Sequence, residues 1–370
     1  MEIKNPKPED YEKILRFLEN VYGHSYKFFP LGYPHVWKKD NFNFEETFII
    51  EKDGKICSLV RNFPIITIQN GIKIKFGGIG SVSTDYEERN QGYMTALLNH
   101  AIKRMEENGY HLSILWGDRH RYMNFGYENS GKVITLTITN RGMQKANVSP
   151  IKTERYLGQK NILEKIIETY NKNKYRVERN YEYFYEIYKK VGTATYYAEE
   201  NNQFAYVVIG TGPDSKVFEY GGPADLIVRI LKYLIERFGK KFSIDFPDFS
   251  EIPEIMWAVS TWWNITPAGM IKIISLKRTI EAFLPLIEKN IDESDEIVFE
   301  ILNKEKVGIK KEGGKVKFIN ESENYIKLSE IEMVRLFFNP CISEVGNKKT
   351  NEILKKFLPI NIFFPLLDHI

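Results

Sequence analysis

The run Val82-Ser83-Thr84-Asp85-Tyr86-Glu87-Glu88-Arg89-Asn90-Gln91-Gly92-Tyr93-Met94 joins the end of an apolar strand, a polar loop and a glycine that opens a helical pattern. A loop entering a helix in this way aims several unpaired backbone N–H groups at one point, and the helix dipole adds partial positive charge there. That environment suits a pyrophosphate. Gly92 lets the backbone come close to an anion, and Arg89 can add a fixed charge. Taken alone, Arg-x-x-Gly before a helix is as compatible with an ordinary loop. Context favours a site, because Leu115-Trp116-Gly117-Asp118-Arg119-His120-Arg121-Tyr122-Met123-Asn124-Phe125-Gly126-Tyr127-Glu128 follows the next strand, where the opposite wall of the same cleft belongs.

A second cluster is aromatic. Between Tyr22 and Trp37 the chain carries His24, Tyr26, Phe28, Phe29, Tyr33 and His35. Aromatic faces attract a cationic amine, and they also simply pack. Both readings stay open here.

The elements that must position these residues are legible in the pattern. Tyr11, Ile14, Leu15, Leu18 and Val21 recur at helical spacing. Strands are expected over residues 46–51, 56–68 and 72–84, separated by the hairpin signals Lys52-Asp53-Gly54 and Gln69-Asn70-Gly71. A helix is expected over 92–108, with Met94, Leu97, Leu98, Ile102 and Met105 on one face, then strands at 112–116 and 132–139, the latter closing the first sheet. Residues 161–170, 205–209, 217–220, 225–238 and 241–245 repeat a strand, turn, helix, strand plan, but the turn Gly221-Gly222-Pro223 has no basic residue and puts a proline where a cofactor loop needs a free amide. Beyond residue 270 the pattern changes to short strands, the first over 271–276, and two helices over 328–338 and 351–357. The layout is α/β, with an α+β ending.

Length and composition agree with this. With 370 residues the chain suits two or three domains. Lys+Arg 52 against Asp+Glu 49 leaves a net charge of +3 with no basic cluster, which argues against nucleic acid as a partner. No apolar stretch is long enough to span a membrane. Cys57 lies in an apolar run far from Cys341, so a buried thiol is expected rather than a disulfide or metal site, in keeping with a cytoplasmic location.

The two chemistry-bearing segments together resemble the GNAT superfamily of acyl-CoA N-acyltransferases, whose cofactor loop reads Arg or Gln, x, x, Gly, x, then Gly or Ala. Arg89 and Gly92 match, while Met94 stands where a small residue is usual. Gly117-Asp118 with Tyr122 and Phe125-Gly126-Tyr127 is similar to a GNAT subgroup. The chain length and the ending Phe363-Phe364-Pro365-Leu366-Leu367-Asp368-His369-Ile370 further resemble the three-domain Eis-like acetyltransferases. This resemblance implies tandem GNAT-like mixed sheets flanked by helices: a catalytic domain over 1–150, a degenerate GNAT-like domain over 151–268 and a sterol-carrier-protein-like domain over 269–370.

It also implies a chemistry. An amine acceptor, a small molecule or a lysine, attacks the thioester of acetyl-CoA directly in a ternary complex, with no metal. The site must then deprotonate the ammonium, hold an oxyanion and protonate the leaving thiolate. By the resemblance, amides near Val82, Ser83 and Thr84 bind the pantetheine arm, and Arg89 and the backbone of Asn90, Gln91, Gly92, Tyr93, Met94 and Thr95 hold the pyrophosphate. Tyr122 is the general acid, and the terminal carboxylate of Ile370 is the base, with Asp85, Glu87 and Glu88 as alternatives acting through water. His24, Tyr26, Phe28 and Trp37 form the acceptor wall, and relatives of this kind are homo-oligomers. A different class of reading makes the chain a non-catalytic acyl-CoA or apolar-ligand sensor, which would bind the cofactor without turnover.

Overall fold

The computed structural model describes residues 2–212, 215–340 and 344–369. The chain forms two compact units, one of Met1–His24, Asn43–Lys132 and Pro267–Ile362, the other of Ser25–Phe42, Val133–Thr266 and Phe363–Ile370.

The first unit opens with helix α1 (Tyr11–Tyr22), which buries Ile14, Leu15 and Leu18 as its spacing requires. Strands β1 (Thr47–Lys52), β2 (Lys55–Gln69) and β3 (Ile72–Thr84) pair antiparallel. At both hairpins the turn residues, Asp53-Gly54 and Asn70-Gly71, have positive φ, the geometry that matches strand twist. The helix Tyr93–Glu107 then returns the chain to β4 (Leu112–Leu115), which lies parallel to β3. Its face of Leu97, Leu98, Ala101 and Met105 is fully buried.

The mixed sheet is completed differently from the local reading. The strand expected to close it, observed as Val133–Ile138, pairs instead with Phe242–Phe246 and Ser260–Thr266 in the second unit. Its place between β4 and β5 (Glu128–Ser130) is taken by Gly269–Ile273, antiparallel to both. The expected strand over 271–276 therefore ends early, and Leu276 starts a helix to Asn290, capped by Ser275. Leu276, Ile280, Phe283 and Ile287 are its buried stripe. The same unit carries a four-stranded sheet in the order Lys315–Ile319, Glu305–Glu312, Glu296–Ile301, Tyr325–Leu328, followed by the helix Glu330–Phe338, whose Ser329 and Glu332 form a capping box.

Glu128 ties β5 to that late helix. Its carboxylate, 3% exposed, takes a bidentate pair from Arg119 at 2.6 and 2.7 Å and two further bonds from Arg335 at 2.9 and 2.5 Å. Burial opposes the charge, but the two guanidinium groups hold the carboxyl down to about 2 from 4.5. A carboxyl depressed on folding stabilises the fold above its unfolded pKa and loses that contribution as pH falls through the folded value. Glu128→Gln should therefore destabilise the protein by about 3 kcal/mol at neutral pH, because it leaves both arginines short of their counter-charge. Thermal melts between pH 5 and pH 2 check the assignment: the wild type should lose stability across that window more steeply than the variant, and equal slopes would refute it.

In the second unit the sheet runs Ser260–Thr266, Val133–Ile138, Phe242–Phe246, Lys216–Gly221, Gln203–Gly210, Thr193–Glu200, Glu154–Arg155. The helix Ala224–Phe238 joins the one parallel pair among these, Lys216–Gly221 and Phe242–Phe246. The edge strand Ser260–Thr266 leaves Trp262, Trp263 and Ile265 exposed, an unpaired apolar edge of the kind that pairs with another chain. The segment after Phe363 is held by Asp368, whose carboxylate accepts from fully buried Arg179 at 2.9 and 2.6 Å and from the Tyr183 hydroxyl at 3.0 Å.

Cys57 is a free, buried thiol, and Cys341 lies outside the described residues. Among the described residues no helix is long and apolar enough to cross a membrane, and no group of three His, Cys, Asp or Glu could hold a metal ion.

Candidate active site

The cleft of the first unit originates in a sheet that comes apart. β3 and β4 pair only from Phe76–Leu112 to Gly78–Ile114, and beyond Gly78 the β4 side of β3 is open. A bulge reinforces this. Leu59 opposes Ser83 and Arg61 opposes Gly80, so Ser81 and Val82 share the partner Val60, and Ser81 takes φ 55°. Such a bulge kinks the strand and re-aims the groups after it. Ser58 pins the end, its hydroxyl donating to the Ser83 carbonyl at 2.7 Å.

The loop after β3 is preorganised by its own residues. The Asp85 carboxylate accepts from the Glu87 amide at 3.0 Å, and Asn90 and Gly92 both take positive φ, 65° and 75°. Gly92 has open space where a side chain would stand. It is the N-cap of the helix Tyr93–Glu107 and no side chain caps that end. The first bond of the ladder runs from the Ala96 amide to the Gly92 carbonyl at 3.0 Å, so the amides of Tyr93, Met94 and Thr95 precede it. Met94 packs its side chain on the core, together with Val82 and Tyr93.

All ten residues expected to bind the cofactor, Val82, Ser83, Thr84, Arg89, Asn90, Gln91, Gly92, Tyr93, Met94 and Thr95, line one cleft of about 530 Å³. The structure adds four more: Val21, Tyr22, Glu88 and Arg121. Glu88 is paired with Lys52 at 3.3 Å, which leaves Arg89 and Arg121 to give the cleft a positive balance. Helix dipole, unpaired amides and two guanidinium groups act in the same sense, toward an anion.

Tyr122 is buried at 8% exposure in the wall rather than lining the cleft, with its ring edge-on to Tyr127 at 6.4 Å. Gly117 makes this possible, since a Cβ there would stand 2.5 Å from the Tyr122 ring. Burial raises the Tyr122 phenol above its ordinary pKa, and neighbouring Arg121 works against that rise. Tyr22, the first residue of the aromatic stretch but not among the residues expected at the site, is coupled to it electrostatically. Its hydroxyl donates to the Val82 carbonyl at 2.9 Å, and burial, with Tyr122 next, pushes its pKa up to about 12. The signal for Tyr22 was its place at the head of the aromatic stretch, at the last turn of α1. Arg121 carried none beyond standing next to Tyr122.

The residues expected at the acceptor wall are divided between the two units. His24 stacks on Tyr22 at 5.8 Å and belongs to the first unit. Tyr26, Phe28 and Trp37 belong to the second. Tyr26 is exposed, Phe28 stands edge-on to Phe29, and Trp37 is a core residue, 2% exposed against Phe29 and Phe42. Of the alternative bases, Asp85 is engaged by the Glu87 amide and Glu88 by Lys52. Ile370 lies outside the described residues.

Comparison with known structures gives the same fold at low identity. The GCN5-related N-acetyltransferase from Anabaena variabilis ATCC 29413 superposes with a TM-score of 0.73 at 12% identity, over 96% of each chain. That from Kribbella flavida gives 0.71 at 12%, over 100% of this chain and 98% of the other. Eis1 from Mycobacterium abscessus gives 0.69 at 10%, over 100% of both. No curated protein matches the chain. The family model of the GNAT acetyltransferase domain matches residues 2–130, a segment that contains every residue lining the cleft. Residues 2–130 are therefore similar to a GNAT acetyltransferase domain.

Proposed function

We propose that this chain is an N-acetyltransferase that moves acetyl from acetyl-CoA to a primary amine by direct attack within a ternary complex. The observation that carries the reading is the uncapped helix end at Gly92, opening into a cleft that also holds Arg89 and Arg121. In this reading the first-turn amides of Tyr93–Glu107 and the loop amides before them hold the pyrophosphate of the cofactor. The open end of β3 at Val82 to Thr84 receives the pantetheine arm and polarises the thioester carbonyl. Tyr122 returns a proton to the thiolate. Its raised pKa supports this role, since the phenol stays protonated throughout the neutral range and so always has a proton to give. The acceptor is a small-molecule amine or a lysine.

The test is turnover. The purified chain, given acetyl-CoA and a panel of polyamines, aminoglycosides and lysine peptides, should release CoA thiol with at least one of them in proportion to acetylated amine. Tight acetyl-CoA binding without thiol release across the panel would establish the sensor reading instead. The same preparation reports on assembly. Light scattering should return a mass above that of one 43.4 kDa chain, as expected if the exposed edge at Trp262 and Trp263 meets a second copy.

A further inference from the structure

The second unit repeats the device that opens the cleft of the first. Lys216–Gly221 and Phe242–Phe246 are parallel, are joined by the helix Ala224–Phe238, and pair only at Lys216–Ser243 and Val217–Ile244. Past those residues the strands part and a cavity of about 220 Å³ opens between them. The chemistry of this opening is the reverse of the first. The helix here has Pro223 at its N-cap and Asp225 in its first turn, so it offers one donor fewer and a negative charge. No arginine lines the cavity.

The walls are aromatic, with Tyr175, Phe218, Tyr220, Phe246 and Phe363 among them, and three acidic residues line it: Glu219, Asp245 and Glu251. Two of these are already neutralised. Glu219 is paired with buried Arg179 and accepts the hydroxyls of Tyr188 and Tyr206, and Glu251 takes Lys174 at 2.8 Å. Asp245 is the exception. Its Oδ1 accepts from the Thr135 hydroxyl at 2.6 Å; among the described residues no ion pair engages it, and Lys216 acts on it only from beyond contact distance. Burial pushes this carboxyl above its ordinary range, as expected of a charge with too little compensation. A half-buried carboxylate with no ion-pair partner at contact distance, set among aromatic faces, is complementary to a cation with an apolar body.

We propose that this cavity binds a small organic cation, its ammonium directed to Asp245 and its hydrocarbon part against the aromatic walls. The site does not depend on acetyl transfer in the first unit, and its ligand touches Phe363, at the start of the terminal segment.

The probe is benzyltrimethylammonium, which has no N–H and so cannot act as an acetyl acceptor. Calorimetry on the full chain should show saturable binding, and Asp245→Asn should weaken it at least roughly tenfold, the scale of losing a partly desolvated charge pair. Asp245→Asn keeps the shape and the acceptor for Thr135, so its melting temperature should stay near that of the wild type. Neutral benzyl alcohol should distinguish the two proteins by less than about twofold. Should the variant not fold, hydrogen exchange on the wild type decides: the probe should slow exchange over residues 216–222 and 242–247. Absence of binding by the wild type, equal affinity in the variant, or exchange unaltered in those two segments would each overturn the proposal.

Discussion

Replacing Gly92 by aspartate is expected to weaken acetyl-CoA binding by about two orders of magnitude or more while leaving the fold as stable as before. At φ 75° most side chains are strained, but aspartate tolerates the left-handed region, and the space around this position is open. A carboxylate at the N-cap would accept from the first-turn amides that now lack a side-chain cap, an interaction worth about 1 kcal/mol to the helix. That gain offsets the backbone strain, so the melting temperature should hold. The same carboxylate occupies the donors a diphosphate needs and sets like charge against it. Such a juxtaposition costs several kcal/mol, so the dissociation constant for acetyl-CoA should rise by about a hundredfold or more. Calorimetric titration beside a thermal melt checks both halves. Unchanged affinity in a folded variant would remove the anion site from this helix end, and with it the transferase reading.

Tyr122→Phe is expected to lower kcat by about two to three orders of magnitude, the range for losing a positioned general acid. The affinity for acetyl-CoA should stay within about threefold, because the hydroxyl is asked to act only once the thiolate develops. The ring itself is retained, so its packing against Gly117 and Tyr127 survives the substitution. This separates the phenol's chemistry from its packing. The pH profile adds a signed expectation. Burial raises the Tyr122 pKa from 10.0, so this acid remains protonated below that pH and contributes no alkaline loss of kcat in the neutral range. Tyr22→Phe serves as the contrast. It removes the bond to the Val82 carbonyl, and an effect of the same size as Tyr122→Phe would move the acid role to the pair rather than to Tyr122.

What could be read along the chain was whatever local period and turn chemistry decide. The hairpins at Asp53-Gly54 and Asn70-Gly71, β3 over residues 72–84 and the amphipathic helices at 93–107 and 224–238 all follow from patterns confined to a few turns or one hairpin. So does the loop over residues 82–95 that we propose holds the cofactor. Its ten candidates are consecutive or nearly so, and the strand before them and the helix after them leave the backbone little choice of where to point. The helix Leu276–Asn290 was missed although its apolar residues keep helical spacing, because Pro285 inside it and the apolar run just before it favoured a strand.

Partnership between distant segments was not legible. Val133–Ile138 and Gly269–Ile273 each alternate or bury as strands should, but nothing in either sequence says which sheet it enters. Strand pairing is a backbone hydrogen-bond match open to any strand, and the choice is made by the apolar faces that become buried together. The same holds for single residues. Tyr22, Arg121, the Glu128 pair with Arg119 and Arg335, and the half-buried carboxylate of Asp245 acquire their chemistry from neighbours that only the tertiary structure supplies. The sequence by itself determined a loop able to hold an anion, since free amides at a helix end are a local property. Tertiary structure decided the walls around it, since burial and pairing of charge depend on contacts across the whole fold.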